Sequence, residues 1–193
     1  MKQFIYALVA VLVIAVGFNL FVPAVNSTND LPQLTIDQVF EQPKDDYAVY
    51  FYTEDCGICK DFEPTIIHAK TKDSLPIYVV DMRESENEVA WYDWENHHNQ
   101  YDKVIGRVEN GKEILNEGES HDDYPAEEGF EIVTKGNEIV AVNNKAVNNK
   151  KPTTFEELEI SGTPTLIRVQ EGKVIEYGEG IDQSTVILDN MRP

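Results

Sequence analysis

The chain carries two cysteines, set three positions apart in Cys56-Gly57-Ile58-Cys59. Two thiols at this spacing support three chemistries. A thiolate is the nucleophile of disulfide exchange, and two intervening residues let the second sulfur reach back and resolve a mixed disulfide. The same pair can act as a staple, although closing so short a loop is worth only roughly 2 kcal/mol by chain entropy. It can also supply half of a zinc site, which needs two further ligands. His68, His97, His98 and His121 show no matching spacing, so no metal or other cofactor is expected. Redox exchange makes the fullest use of both sulfurs. In that reading Cys56 attacks, as the more exposed and more acidic thiol, and Cys59 resolves.

The flanking residues say how such a pair is positioned. Tyr47-Ala48-Val49-Tyr50-Phe51-Tyr52 is an apolar run rich in aromatics, the pattern of a strand buried on both faces. Beyond the motif, Phe62, Ile66 and Ala69 recur at helical spacing, with Ile58 one turn earlier. The cysteines therefore stand where a buried strand hands over to a helix. The first turn of a helix offers unpaired N–H groups and the positive end of the macrodipole, and both stabilise a thiolate. Ile77 to Val80 predicts a second strand, ended by Asp81. If it runs parallel to 47–52, the C-terminal ends of both strands lie together, where α/β sites form.

Cys56-Gly57-Ile58-Cys59-Lys60 resembles the C-G-P-C-K motif of the thioredoxin superfamily, with Ile58 in place of proline. Pro64, five residues beyond Cys59, resembles the proline inside that family's active-site helix. Ile160-Ser161-Gly162-Thr163-Pro164-Thr165-Leu166 is similar to the stretch around its cis-proline. The likeness covers residues 35–83 and 156–191. It implies an α/β thioredoxin-like fold with a central mixed sheet. It also implies a cis Pro164 facing the cysteines, with Thr163 and Pro164 shaping a substrate groove. Gly57, Ile58, Lys60 and Pro64 then serve as structural residues at the site. Gly172-Lys173 predicts a hairpin turn between Thr165–Gln170 and Val174–Tyr177. Departures from the family's pattern concern the chemistry. Tyr50 stands where the family often has a buried proton-relay acid, so Asp81 is a candidate substitute, with a solvated strand-end aspartate as the plainer reading. Glu54 and Asp55 place negative charge beside Cys56, which opposes the helix dipole, and Lys60 offsets it in part. A reducing or intermediate couple is expected.

Residues 84–155 form a large insertion before the Pro164 segment. Trp91, Trp94, His98, Tyr101 and Ile105 lie three or four apart and predict a helix over Glu86 to Val104. Val104–Val108 and Lys112–Leu115 flank an Asn110-Gly111 turn and predict a hairpin. Phe130–Thr134 and Glu138–Val142 predict a second one. Glu117 to Glu128 reads as an exposed acidic loop. Ala141 to Lys145 is repeated as Ala146 to Lys150. Thr153 to Glu157 suggests a helix start.

Composition bounds the partners. With 41 % hydrophobic residues a packed core is expected, and a formal charge of -19 argues against nucleic acid. Phe4 to Phe18 is an uninterrupted apolar run that continues, broken by Asn19 and Pro23, to Val25. As a helix the short run spans roughly 22 Å and the long one roughly 33 Å. Residues 1–25 are thus expected as an N-terminal hydrophobic helix, either an uncleaved membrane anchor or a signal peptide. Residues 26–34 form a polar linker and 35–193 the thioredoxin-like domain. Both alternatives export the chain. The expected function is an extracytoplasmic thiol–disulfide oxidoreductase, membrane-anchored or secreted. Its partners are disulfide- or thiol-bearing proteins and an electron donor or acceptor. The resemblance extends to exported bacterial thioredoxin-like proteins, including bacteriocin transport accessory proteins. The alternative is a redox-inert accessory or chaperone-like module whose working surface is the insertion. A metal-handling site on Cys56 and Cys59 is a weaker third reading.

Overall fold

The computed structural model describes residues 25–192. The expected N-terminal hydrophobic helix, residues 1–25, lies outside them except for Val25, which packs against the first core described below. Among the described residues no helix is long and apolar enough to cross a membrane.

Strand β1 (Asp46–Tyr52) leads through the cysteines into helix α1 (Gly57–Thr71), which is followed by β2 (Ile77–Asp81). Late in the chain come β7 (Thr165–Gln170), β8 (Lys173–Glu179) and helix α3 (Gly180–Met191). These strands make one sheet in the order β2-β1-β7-β8. β1 and β2 are parallel, with Tyr52 opposite Asp81. β1 and β7 are antiparallel, with Phe51 opposite Thr165. The sheet is therefore mixed. Its last two strands form the hairpin expected around Gly172, turning through Glu171 and Gly172, which both have positive φ.

Side chains alternate across a strand, so the apolar run of β1 supplies two cores. Ala48, Tyr50 and Tyr52 pack with Phe62, Ile66 and Ala69 of α1 and with Ile187 and Leu188 of α3. Tyr47, Val49 and Phe51 pack on the other face with Ile36, Val39, Met82, Leu158 and Ile160. Both faces are closed, as the near-continuous apolar sequence requires.

The segment expected as a linker is built into the first sheet's edge. Val79 donates its N–H to the Pro32 carbonyl, and Leu34 donates to the Val79 carbonyl. Leu31 is buried in the first core. A polar run with two interspersed leucines hides its apolar contribution from a compositional reading.

Between β2 and β7 stands a second sheet. It holds β3 (Lys103–Glu109), β4 (Lys112–Leu115), β5 (Phe130–Lys135) and β6 (Glu138–Asn143), in the order β4-β3-β6-β5. Both expected hairpins are present, the first turning through Asn110 and Gly111 at positive φ. Ile105, Ile139 and Ala141 form its core. The residues between Glu117 and Glu128 are loop with two single helical turns. Thr153 to Glu157 yields only one such turn.

The helix expected over 86–104 is shorter than its aromatic spacing suggests. A 3-10 turn spans Ser85–Ala90, and the helix proper, α2, is Trp94–Tyr101. Asp93 starts α2 by accepting the Asn96 N–H. Just before it, Ile160 donates to the Ala90 carbonyl and Tyr92 donates to the Ile160 carbonyl. These long-range backbone bonds bracket Trp91, which is extended. Ile105 belongs to β3, where a β-branched residue is at home.

Candidate functional site

Cys56 is the N-cap of α1, and Cys59 lies in the helix's first turn. The two are joined as a disulfide, with Cα atoms 5.2 Å apart. Their environments differ. Cys56 is partly exposed, whereas Cys59 is 4 % exposed and packs in the first core. The Cys59 peptide N–H donates to Cys56 Sγ at 3.0 Å, the orphan donor expected at a helix N-terminus. Cys56 Sγ also lies 3.4 Å from the Thr163 carbonyl oxygen. The Thr163–Pro164 peptide bond is cis. The site thus brings the strand–helix junction and the Pro164 segment together across more than a hundred residues of chain.

The remaining expected site residues fall as follows. Gly57 and Lys60 are exposed, and Ile58 presents 55 % of its surface beside the sulfurs. Pro64 lies inside α1, where the ring leaves the Lys60 carbonyl without its helical donor. Thr163 is partly exposed and Pro164 buried. Asp81 sits at the end of β2, and its carboxylate accepts the Arg83 backbone N–H at 3.0 Å and Arg83 Nη2 at 2.9 Å. It lines a cleft of about 450 Å³ together with Tyr52, Glu54 and Arg83. Among the described residues no group of three or more His, Cys, Asp or Glu side chains is placed to hold a metal ion.

Local charges are arranged differently from the sequence expectation. Glu54 is paired with Arg83 at 2.9 Å and accepts from Asn29, and these partners hold its carboxyl below the usual range. Its charge is therefore compensated. Asp55, next to Cys56 in sequence, makes no such ion pair among the described residues, and a hydrogen bond from the Thr53 side chain holds its carboxyl low. Tyr50 is fully buried, and its hydroxyl reaches the Cys59 carbonyl at 3.5 Å. Burial, reinforced by the nearby Glu63 charge, pushes its phenol well above the ordinary value.

No protein-family model matches the chain, and no curated protein matches it. Solved structures do, and thioredoxins are among them. Mitochondrial thioredoxin 3 from Saccharomyces cerevisiae, in its oxidized form, is 12 % identical with a TM-score of 0.41, over 85 % of this chain and 95 % of that one. Thioredoxin f2 of Chlamydomonas reinhardtii is 15 % identical with a TM-score of 0.41, over 81 % and 90 %. A single-site mutant of a Halobacterium salinarum thioredoxin is 13 % identical with a TM-score of 0.39, over 86 % and 92 %. The strand order and the cysteine geometry stand independently of these distant likenesses.

Two residues near the site escape a sequence reading, and of a third, Trp94, the sequence shows an aromatic helix face but not the contact it makes. Glu63 lies one helical turn beyond Cys59 and lines with it a cavity of about 290 Å³. Its Oε1 accepts both the backbone N–H and the hydroxyl of the buried Thr28. The i, i+4 spacing from Cys59 was a usable signal. Arg83 shares itself between Asp81 and Glu54. Trp94 donates its indole N–H to the Ser161 carbonyl at 2.9 Å, two residues before Thr163. A backbone acceptor leaves no trace in sequence.

Proposed function

We propose that this chain is an extracytoplasmic thiol–disulfide oxidoreductase acting on protein disulfides through Cys56 and Cys59. The observation that carries the reading is the asymmetry of the pair. The partly exposed sulfur stands at a helix N-terminus opposite the Thr163 carbonyl, and the buried one lies a turn further in. In the reducing direction the Cys56 thiolate attacks a substrate disulfide, forming a mixed disulfide and releasing one substrate sulfur as thiolate. The Cys59 thiolate then attacks Cys56 Sγ. That forms the intramolecular disulfide, releases the second substrate thiol and completes the transfer of two electrons. A dithiol-class donor must regenerate the reduced pair, and the reverse sequence oxidises a substrate. Thr163 and Pro164 border the place where the substrate strand lies. Export is supported by the apolar run Phe4 to Val25 and by the persistence of disulfides outside the cytosol. That run either anchors the chain or is cleaved.

Removing the resolving sulfur tests the reading. Cys59→Ser keeps the backbone N–H that points at Cys56 but cannot complete the exchange. In the full chain it should accumulate covalent partners that dithiothreitol releases and that the Cys56→Ser, Cys59→Ser double variant never forms. Non-reducing gels of captures from the extracytoplasmic compartment read this out. Partners that persist without either sulfur and resist reductant would instead favour an accessory module working through the second sheet.

A further inference from the structure

The stretch Glu159 to Pro164 can be followed carbonyl by carbonyl. Glu159 O accepts from Asn148 Nδ2 at 2.8 Å and from the Tyr177 hydroxyl at 2.7 Å. Ile160 O accepts the Tyr92 N–H, and Pro164 O accepts the Gly180 N–H. Gly162 O accepts the Thr165 hydroxyl at 2.7 Å. Ser161 O accepts the Trp94 indole at 2.9 Å. Thr163 O faces Cys56 Sγ. Asn148, Tyr92 and Trp94 all come from the region between β2 and β7. A fourth hook comes from the same region. Lys150 Nζ binds Glu179 Oε1 at 2.8 Å, and that oxygen also accepts the Ser161 hydroxyl. Ser161 is therefore gripped on both its carbonyl and its side chain.

Ile160 and Pro164 are buried, while Ser161, Gly162 and Thr163 form a partly exposed arch between them. A Cβ built on Gly162 would meet nothing within 4 Å, so no packing defines the arch there. Glycine adds its own backbone freedom. The orientation of the peptide planes between Ser161 and Thr163 rests on hydrogen bonds, and the solvent-side anchors are at Ser161.

We propose that Trp94 is a positioning residue for disulfide exchange: its indole N–H fixes the Ser161 carbonyl and thereby the arch that presents Thr163 to a polypeptide lying beside Cys56. Lys150, acting through Glu179, is the second anchor. The inference rests on the oxidoreductase reading and extends it, making the inserted region part of the polypeptide-binding groove. A polypeptide disulfide must lie along the arch to bring its sulfur to Cys56, whereas a small disulfide needs only access to Sγ.

The test compares insulin with 5,5′-dithiobis(2-nitrobenzoate) as substrates of the full chain, reduced beforehand with dithiothreitol and freed of it. Losing one hydrogen bond that acts only on the polypeptide should lower kcat/KM for insulin roughly two- to tenfold in Trp94→Phe. The rate with the small disulfide should be unchanged. Lys150→Gln should show the same selective loss, more weakly, and keeps the test open if Trp94→Phe folds poorly. Trp91→Phe is the control, because its indole donates to the Met82 carbonyl and not to the arch; its ratio of the two rates should equal that of the wild type. Equal slowing of both substrates by Trp94→Phe and Lys150→Gln, no slowing of either, or the same selective loss in Trp91→Phe would overturn the positioning role. A wild-type chain that neither reduces insulin when reduced nor oxidises a dithiol peptide when oxidised would overturn the oxidoreductase reading and the inference with it.

Discussion

Reducing the Cys56–Cys59 disulfide should leave the fold's stability almost unchanged. The cross-link closes a loop with a sequence separation of 3, and chain entropy assigns so short a loop about 2 kcal/mol in favour of the oxidised form. Reduction releases a Cys56 sulfur that already accepts the Cys59 N–H at 3.0 Å. Since the disulfide sulfur accepts that bond too, the thiolate gains only the excess of a charged over a neutral acceptor, about 1 kcal/mol. The N-terminus of α1 adds about 0.3–1 kcal/mol for an anion at that position. Asp55 subtracts from this by like-charge repulsion, while Glu54 does not, because Arg83 already holds it. These contributions offset the cross-link to within about 1 kcal/mol. For a chain of this size 1 kcal/mol moves the melting point by about 2–4 °C. Thermal melts of the full chain at pH 8, with and without reductant, should therefore agree to within about 4 °C. If reduction removes the whole cross-link value, lowering the melting point by about 4–8 °C or more, the pair is a staple and the reasoning fails.

Limited alkylation of the reduced chain should label Cys56 before Cys59, since Cys59 is 4 % exposed; mass spectrometry of early time points decides, and preferential labelling of Cys59 would reverse their roles. Asp102 should carry part of the acid sensitivity. Burial pushes its carboxyl up, but hydrogen bonds from His98, the Asn143 N–H and Lys135 outweigh this and hold it below the ordinary value. A group depressed in the folded state contributes stability above about pH 4 and loses it as the pH falls, so Asp102→Asn should flatten the acid limb of denaturant midpoints. Gly106→Ala should destabilise the second sheet by about 1–3 kcal/mol. Its Cβ would stand 2.6 Å from the Ile114 carbonyl oxygen, and hydrogen exchange in β3 and β4 should rise while β1 stays protected.

The legible parts of this structure are those governed by local rules. The two-faced burial of Tyr47 to Tyr52, the helix after Cys56 and the hairpin turns at Asn110-Gly111 and Gly172 follow from periodicity and turn chemistry. The facing of Thr163 and Cys56 came from resemblance, because no local pattern reports a contact across so much chain. The helix expected from Glu86 failed at its start. Spacing of three and four is met by Trp91 and Trp94, yet the Ile160 backbone bonds to both sides of Trp91 prevail over local helix formation. The compensation of Glu54 by Arg83 was invisible for the same reason, since the pair is 29 positions apart in sequence.

Strand direction explains why an insertion at this point of the chain bears on the cysteines. β1 and β2 are parallel, so the end of β2 at Asp81 lies level with the end of β1 at Tyr52, just before Cys56. β7 is antiparallel to β1, so its beginning at Thr165 lies level with Phe51. A segment inserted between β2 and β7 must leave and re-enter the sheet at the edge where the sulfurs stand. The Ala90–Tyr92 segment binds Ile160 as the chain departs, and Asn148 and Lys150 bind Glu159 and Glu179 as it returns. Topology thus brings both ends of the second sheet near the Thr163 arch, and backbone bonds at the first end and side chains at the second tie them there. Trp94, near the first of those ends, reaches the same arch through its indole N–H on the Ser161 carbonyl.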